Sequence, residues 1–147
     1  MTLHALMLRP LIAMSWLLGA TALHAQDRVD IRFPTGATST TINGTIEGRE
    51  YRDYVLRARA GQMMVASLTV TGTNGHGSAF FNILPAGQDY GGLYTGHMDD
   101  DRRAEVTIPR DGAWAIRVYL MGNDRDAGRT VGYAIDVAIR PAGGGSG

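Results

Sequence analysis

The sequence has no cysteine and no lysine, only 7% aromatic residues, and five prolines among 147 residues. Without cysteine there is no disulfide scaffold, no Cys-based zinc finger, no iron–sulfur site and no cysteine nucleophile. All 14 basic residues are arginine, and they equal the 14 acidic residues in number. That balance excludes the basic surface excess of a nucleic-acid binder. The apolar run Leu11 to Ala22 is about 12 residues long, too short to cross a hydrocarbon core of ~30 Å as a helix. Beyond it, no window carries a convincing helical stripe. What is present, 44% hydrophobic and 19% charged residues, is the composition of a folding chain of one-domain length.

Residues 1–25 read as a secretory signal peptide, with Arg9 in the positive n-region and Leu11 to Ala22 as the apolar core. Two cleavage positions fit the small-residue rule, after Ala22 or after Ala25. No cysteine follows, which excludes a lipoprotein anchor. After cleavage 13 arginines face 14 acidic residues, and no membrane segment is left. Export and the arginine-only usage of a GC-rich genome point to a Gram-negative periplasm. The expected division is a signal peptide at 1–25, a folded domain at 26–140 and a flexible Gly-rich tail at 141–147.

The exported part alternates apolar and polar residues with period two, the signature of half-buried strands. Trp114, Ile116, Val118 and Leu120 oppose Ala115, Arg117 and Tyr119. Tyr133, Ile135, Val137 and Ile139 oppose Ala134, Asp136, Ala138 and Arg140. Met64, Ala66, Leu68 and Val70 form a third inward row, and Tyr54, Leu56 and Ala58 a fourth. Weaker strands are expected at 28–33, 40–47, 79–84, 91–95 and 104–108. Asn43-Gly44 is a turn signal that also allows Thr40–Glu47 to split into a hairpin. Together these predict an all-β fold: a single antiparallel β-sandwich of about eight to nine strands.

Candidate chemistry is sparse, and no catalytic constellation, metal site or cofactor is expected. Asp99-Asp100-Asp101 crowds carboxylates that rarely all reach one calcium ion, so it reads as a solvated turn. Counted from Asp124, the loop that follows has its glycine fifth and Ile135 at position twelve, which breaks the EF-hand pattern. His76 and His97 stand 21 residues apart without a serine elbow or ligand spacing. Gly72, Gly75 and Gly77 lack the last glycine of a dinucleotide fingerprint. Glu47 and Glu50 share one turn and frame no sugar-sized cleft. The most suggestive feature is the polar segment Gly122 to Arg129, expected as a hairpin loop between the two best-patterned strands. Arginines there suit bidentate capture of carboxylates in another protein's cleft.

Several stretches resemble the bacterial periplasmic inhibitors of goose-type (g-type) lysozyme. They are Tyr51-Arg52-Asp53-Tyr54, Ala58-Arg59-Ala60-Gly61-Gln62, Phe81 through Gly87, Ile108-Pro109-Arg110-Asp111-Gly112 and Ile116 through Asp124. The resemblance spans most of residues 30–140. It implies an antiparallel β-sandwich that inhibits by inserting a polar loop into the lysozyme's substrate cleft, with no catalysis of its own. The partner it implies is a g-type lysozyme. It assigns partner contacts to Tyr51, Tyr54, Tyr119, Asn123, Asp124, Arg125 and Arg129. Where the family's loop has arginines flanking the Asn-Asp pair, this chain has Gly122 and Asp126, with Arg125 and Arg129 at shifted positions. The alternative is a sandwich domain like the prepeptidase C-terminal type, serving as an accessory or glycan-binding module.

Overall fold

The computed structural model describes residues 27–143, so the expected signal peptide at 1–25 and tail residues 144–147 lie outside it. Nine strands follow in order: β1 (Asp27–Asp30), β2 (Ser39–Glu47), β3 (Tyr51–Ala58), β4 (Met63–Thr73), β5 (Ala79–Pro85), β6 (Tyr94–Thr95), β7 (Arg103–Thr107), β8 (Gly112–Leu120) and β9 (Thr130–Arg140). One sheet has the order β1-β3-β8-β5-β6 and the other β2-β9-β4-β7. The chain therefore changes sheets at nearly every connection.

The four inward rows meet between the sheets, as the alternation predicts. Trp114, Ile116, Val118, Leu120, Phe81, Ile83 and Leu56 from one sheet pack on Met64, Leu68, Tyr133, Ile135 and Val137 from the other. All are buried. The β-branched and aromatic side chains that dominate these rows suit a pleated surface packed on one face.

The structure corrects several expectations. The first strand stops at Asp30 rather than Phe33, and it pairs parallel to β3, so the sandwich is not wholly antiparallel. The expected strand at 91–95 shrinks to Tyr94–Thr95. Asn43-Gly44 makes no turn: β2 runs through it in unbroken register with β9. The reason is a close approach. Tyr54 and Tyr133 join hydroxyls at 2.7 Å inside the sandwich with their rings edge to face. A Cβ on Gly44 would lie 2.7 Å from the Tyr54 hydroxyl oxygen and 2.6 Å from the Tyr133 ring. Glycine is required there by space, not by a turn. Burial holds the Tyr133 phenol well above its ordinary pKa, so that hydroxyl stays protonated.

Finally, Gly122 to Arg129 is not a hairpin loop. β8 and β9 belong to different sheets, and the segment crosses between them through a short helix, α1 (Gly122–Asp126). Period-two patterning marks both strands but carries no record of which sheet each joins.

Replacing Gly44 with alanine forces the two tyrosines apart and strains the ladder. The expected loss is about 1–3 kcal/mol, the usual cost of overpacking, measured as a lower urea midpoint at unchanged m-value.

Candidate functional site

At one end of the sandwich three inter-sheet connections converge: the turn 47–50, the loop 74–78 and the segment 121–129. The Asp124 carboxylate ties two of them. It is fully buried and accepts the backbone N–H of His76 at 2.9 Å and of Ser78 at 2.8 Å. Those amide bonds, first that of His76, hold its pKa below the ordinary carboxylate value and outweigh the opposing effect of burial. A Cβ on Gly75 would run into this carboxylate. Asn74 adds a second tie, its Oδ1 accepting the Thr130 amide at 2.9 Å. The turn 47–50 joins through Arg49, which donates to Asp126 at 3.1 Å, and through the Gly48 amide, which donates to the Arg129 carbonyl at 3.0 Å.

Beside this tip lies a cleft of about 340 Å³ on the outer face of the β1-β3-β8-β5-β6 sheet, with Tyr51, Asn82, His97, Arg117, Tyr119 and Arg125 among its walls. Cross-strand register builds it. Tyr51 stands opposite Tyr119 and Asp53 opposite Arg117; Asn82 is opposite Arg117 on the other side. Arg117 grips buried Asp53 with two bonds of 2.8 and 3.0 Å and reaches Asp89 at 2.7 Å. Its guanidinium lies 4.6 Å from the centre of the Tyr51 ring. Hydrogen bonding to Asp53 is the largest reason that the Arg117 pKa is raised, so this cation is permanent. Tyr119 donates to Asn82 Oδ1 at 2.9 Å, and His97 Nδ1 lies 2.9 Å from the same hydroxyl. With the phenol proton given to Asn82, the imidazole is the donor in that second bond. Burial raises the Tyr119 pKa, keeping the phenol protonated.

The site residues expected from sequence therefore separate. Tyr51, Tyr119 and Arg125 share the cleft. Asn123 and Arg129 are exposed on the adjoining tip, and Arg129 has no ion pair among the described residues. Tyr54 and Asp124 are buried. Neither side chain is presented to a partner: one packs the core and the other latches the tip. Sequence reasoning missed Arg49, Asn82 and Arg117, and it set His97 aside for lack of ligand spacing. The only signal was Arg117 on an outward position of a strong strand, and its meaning depends on β3 lying alongside.

Other acidic and glycine-rich features have local roles. Asp99 accepts the Tyr94 hydroxyl at 2.9 Å and the Asp101 amide at 3.1 Å. Among the described residues, no group of three His, Asp or Glu side chains is arranged to hold a metal ion.

No protein-family model matches the chain. The inhibitor of g-type lysozyme from Escherichia coli K12 is 25% identical over 133 residues, covering 90% of this chain and 96% of that protein. Among solved structures, Aeromonas hydrophila PliG, a periplasmic inhibitor of g-type lysozyme, aligns at 28% identity and a TM-score of 0.67, over 78% of this chain and 96% of its own. In sequence and fold the chain is similar to these lysozyme inhibitors. Salmonella Typhimurium PliG repeats the fold at 23% identity and a TM-score of 0.60, over 78% of this chain and 98% of its own.

The latch has a pH signature. A carboxylate whose folded pKa is depressed contributes stability that is complete above its unfolded value of 3.8 and is lost as pH falls through the lower folded value. Asp124→Asn is expected to be less stable than wild type at neutral pH, with the gap closing below that value. Thermal melts of both proteins between neutral and strongly acidic pH measure it; a gap independent of pH contradicts the latch.

Proposed function

We propose that this protein is a periplasmic inhibitor of g-type lysozyme that acts by binding, not by turnover. The observation that carries the reading is the likeness to A. hydrophila PliG at 28% identity over 96% of that inhibitor. The geometry supplies a means. Lysozyme-type glycosidases work with carboxylates lining a substrate cleft. The tip and the adjoining cleft present Arg125 and Arg129 exposed, with Asn123 between the same connections and Tyr51 and Tyr119 beside them. A guanidinium matches a carboxylate bidentately, and a tip already tied by Asp124 gives up little conformational freedom on docking. Tyr54 and Asp124 contribute by holding this surface in shape.

The protein is exported by residues 1–25 and meets its target outside the cytoplasm. The shift of the arginines relative to the family loop moves the cationic contact from the flanks of Asn123-Asp124 to Arg125 and Arg129.

The purified mature protein is expected to inhibit a goose-type lysozyme at micromolar concentration, with less effect on hen and invertebrate types. Arg125→Ala combined with Arg129→Ala should weaken binding by at least about 2 kcal/mol, about thirtyfold, with the melting curve unchanged. Absence of inhibition by wild type across the lysozyme panel rejects the function. Unchanged inhibition by the double variant removes these arginines from it.

A further inference from the structure

The β1-β3-β8-β5-β6 sheet carries a second cluster of arginines on its outer face, toward the end away from the tip. Parallel pairing sets it up. β1 runs alongside β3 with Arg28 level with Asp53 and Asp30 level with Val55. The Ile31 amide carries the ladder one residue past β1 by donating to the Val55 carbonyl at 2.8 Å. The same register brings Arg32 level with Arg57. Side chains alternate between the two faces of a sheet, so Arg28, Asp30 and Arg32 form one outward row beside Val55 and Arg57. On its other side Arg57 is level with Ala113, whose single methyl group leaves room next to the guanidinium. The result is a pocket of about 240 Å³ with Arg28, Asp30, Arg32, Val55, Arg57 and Ala113 among its walls.

Like charges side by side across a ladder are destabilising. Other strand arginines are balanced: Arg117 has Asp53 and Asp89, Arg52 has Asp27, and Arg103 has Glu105. Arg28 has Asp30 at 3.5 Å. Arg32 and Arg57 have neither a carboxylate nor an aromatic ring as partner among the described residues. Three guanidinium groups and one carboxylate therefore leave two positive charges unbalanced around one concavity. A phosphate group carries about −1.5 to −2 at neutral pH, and guanidinium forks match its oxygens two at a time.

We propose that this pocket binds a phosphate group, that of a free phosphate ester or of a lipid headgroup. Arg32 and Arg57 supply the two unpaired forks. Arg28, paired with Asp30, offsets the repulsion that this carboxylate exerts on an anion. The three arginines are exposed, so the group enters without any rearrangement of the sheet. The site is separate from the lysozyme-binding surface: Tyr51 opens β3 on the tip side, and Arg57 is the last residue but one of that strand. Occupation of one leaves the other free.

Amide chemical-shift mapping of the mature protein, titrated with inorganic phosphate at constant ionic strength, tests the site. Saturable shifts are expected at residues 28–32, 55–57 and 113. Arg57→Gln and, separately, Arg32→Gln are expected to weaken binding about tenfold or more, the loss of one bidentate contact. Arg103→Gln, on the other sheet, is expected to leave it unchanged. Flotation with phosphatidylcholine vesicles, with and without phosphatidic acid, separates the two sources. Flotation that needs phosphatidic acid and is abolished by either pocket variant assigns a headgroup; saturable shifts without flotation assign a free ester. Neither saturable shifts nor flotation overturns the proposal. So do shifts confined to the tip at 121–129, binding or flotation that both pocket variants retain, or an equal loss in Arg103→Gln. Lysozyme inhibition by Arg57→Gln is read separately and bears only on the proposed function.

Discussion

The surface that this protein presents is held by one carboxylate withdrawn from water. Asp124 lies in the crossing from β8 to β9, and the amides it accepts, from His76 and Ser78, lie in the crossing from β4 to β5. Each crossing passes between the sheets at the same end. Neither crossing buries an apolar side chain, and a buried carboxylate without donors would be costly. The requirement to satisfy Asp124 therefore fixes both segments at once. Arg49 and Gly48 bring in the third connection. Exposed arginines become oriented because an inward neighbour is not free to move.

A second ionic contact does comparable service on the sheet face. Asp53 is buried beneath Arg117, and the guanidinium that neutralises it also lies against Tyr51 and reaches Asp89. The segment between β5 and β6 is drawn over the sheet in this way. Arg117 is committed to buried Asp53 and to Asp89, whereas Arg125 and Arg129 are exposed, Arg125 with an exposed ion pair to Asp126 at 3.3 Å.

Most of the fold was legible because its strongest strands are buried on one face. β4, β8 and β9 alternate branched or aromatic side chains with small or polar ones, and that pattern has one sheet-like solution. β1 and β6 were poorly placed because they are exposed or very short and carry no inward row. Asn43-Gly44 misled because a glycine demanded by the two tyrosines looks the same in sequence as one demanded by a turn. The site was legible in part. Tyr51, Tyr119 and Arg125 line one cleft. Asp124 and Arg125 are neighbours of similar polarity, and only the loop 48 residues away that binds Asp124 distinguishes inward from outward. Likewise, Asp53 and Arg117 are 64 residues apart, and no local pattern announces their pairing.

The strand order carries a further consequence. β9, the last strand, sits between β2 and β4, so that sheet has no continuity until the C-terminal segment is in place. The neighbours on either side of it are contributed by the earliest third and the middle of the chain. Such non-local closure is slow compared with local pairing. A polypeptide threaded across a membrane from its N-terminus would thus be unable to close this sheet until its final strand emerged on the far side.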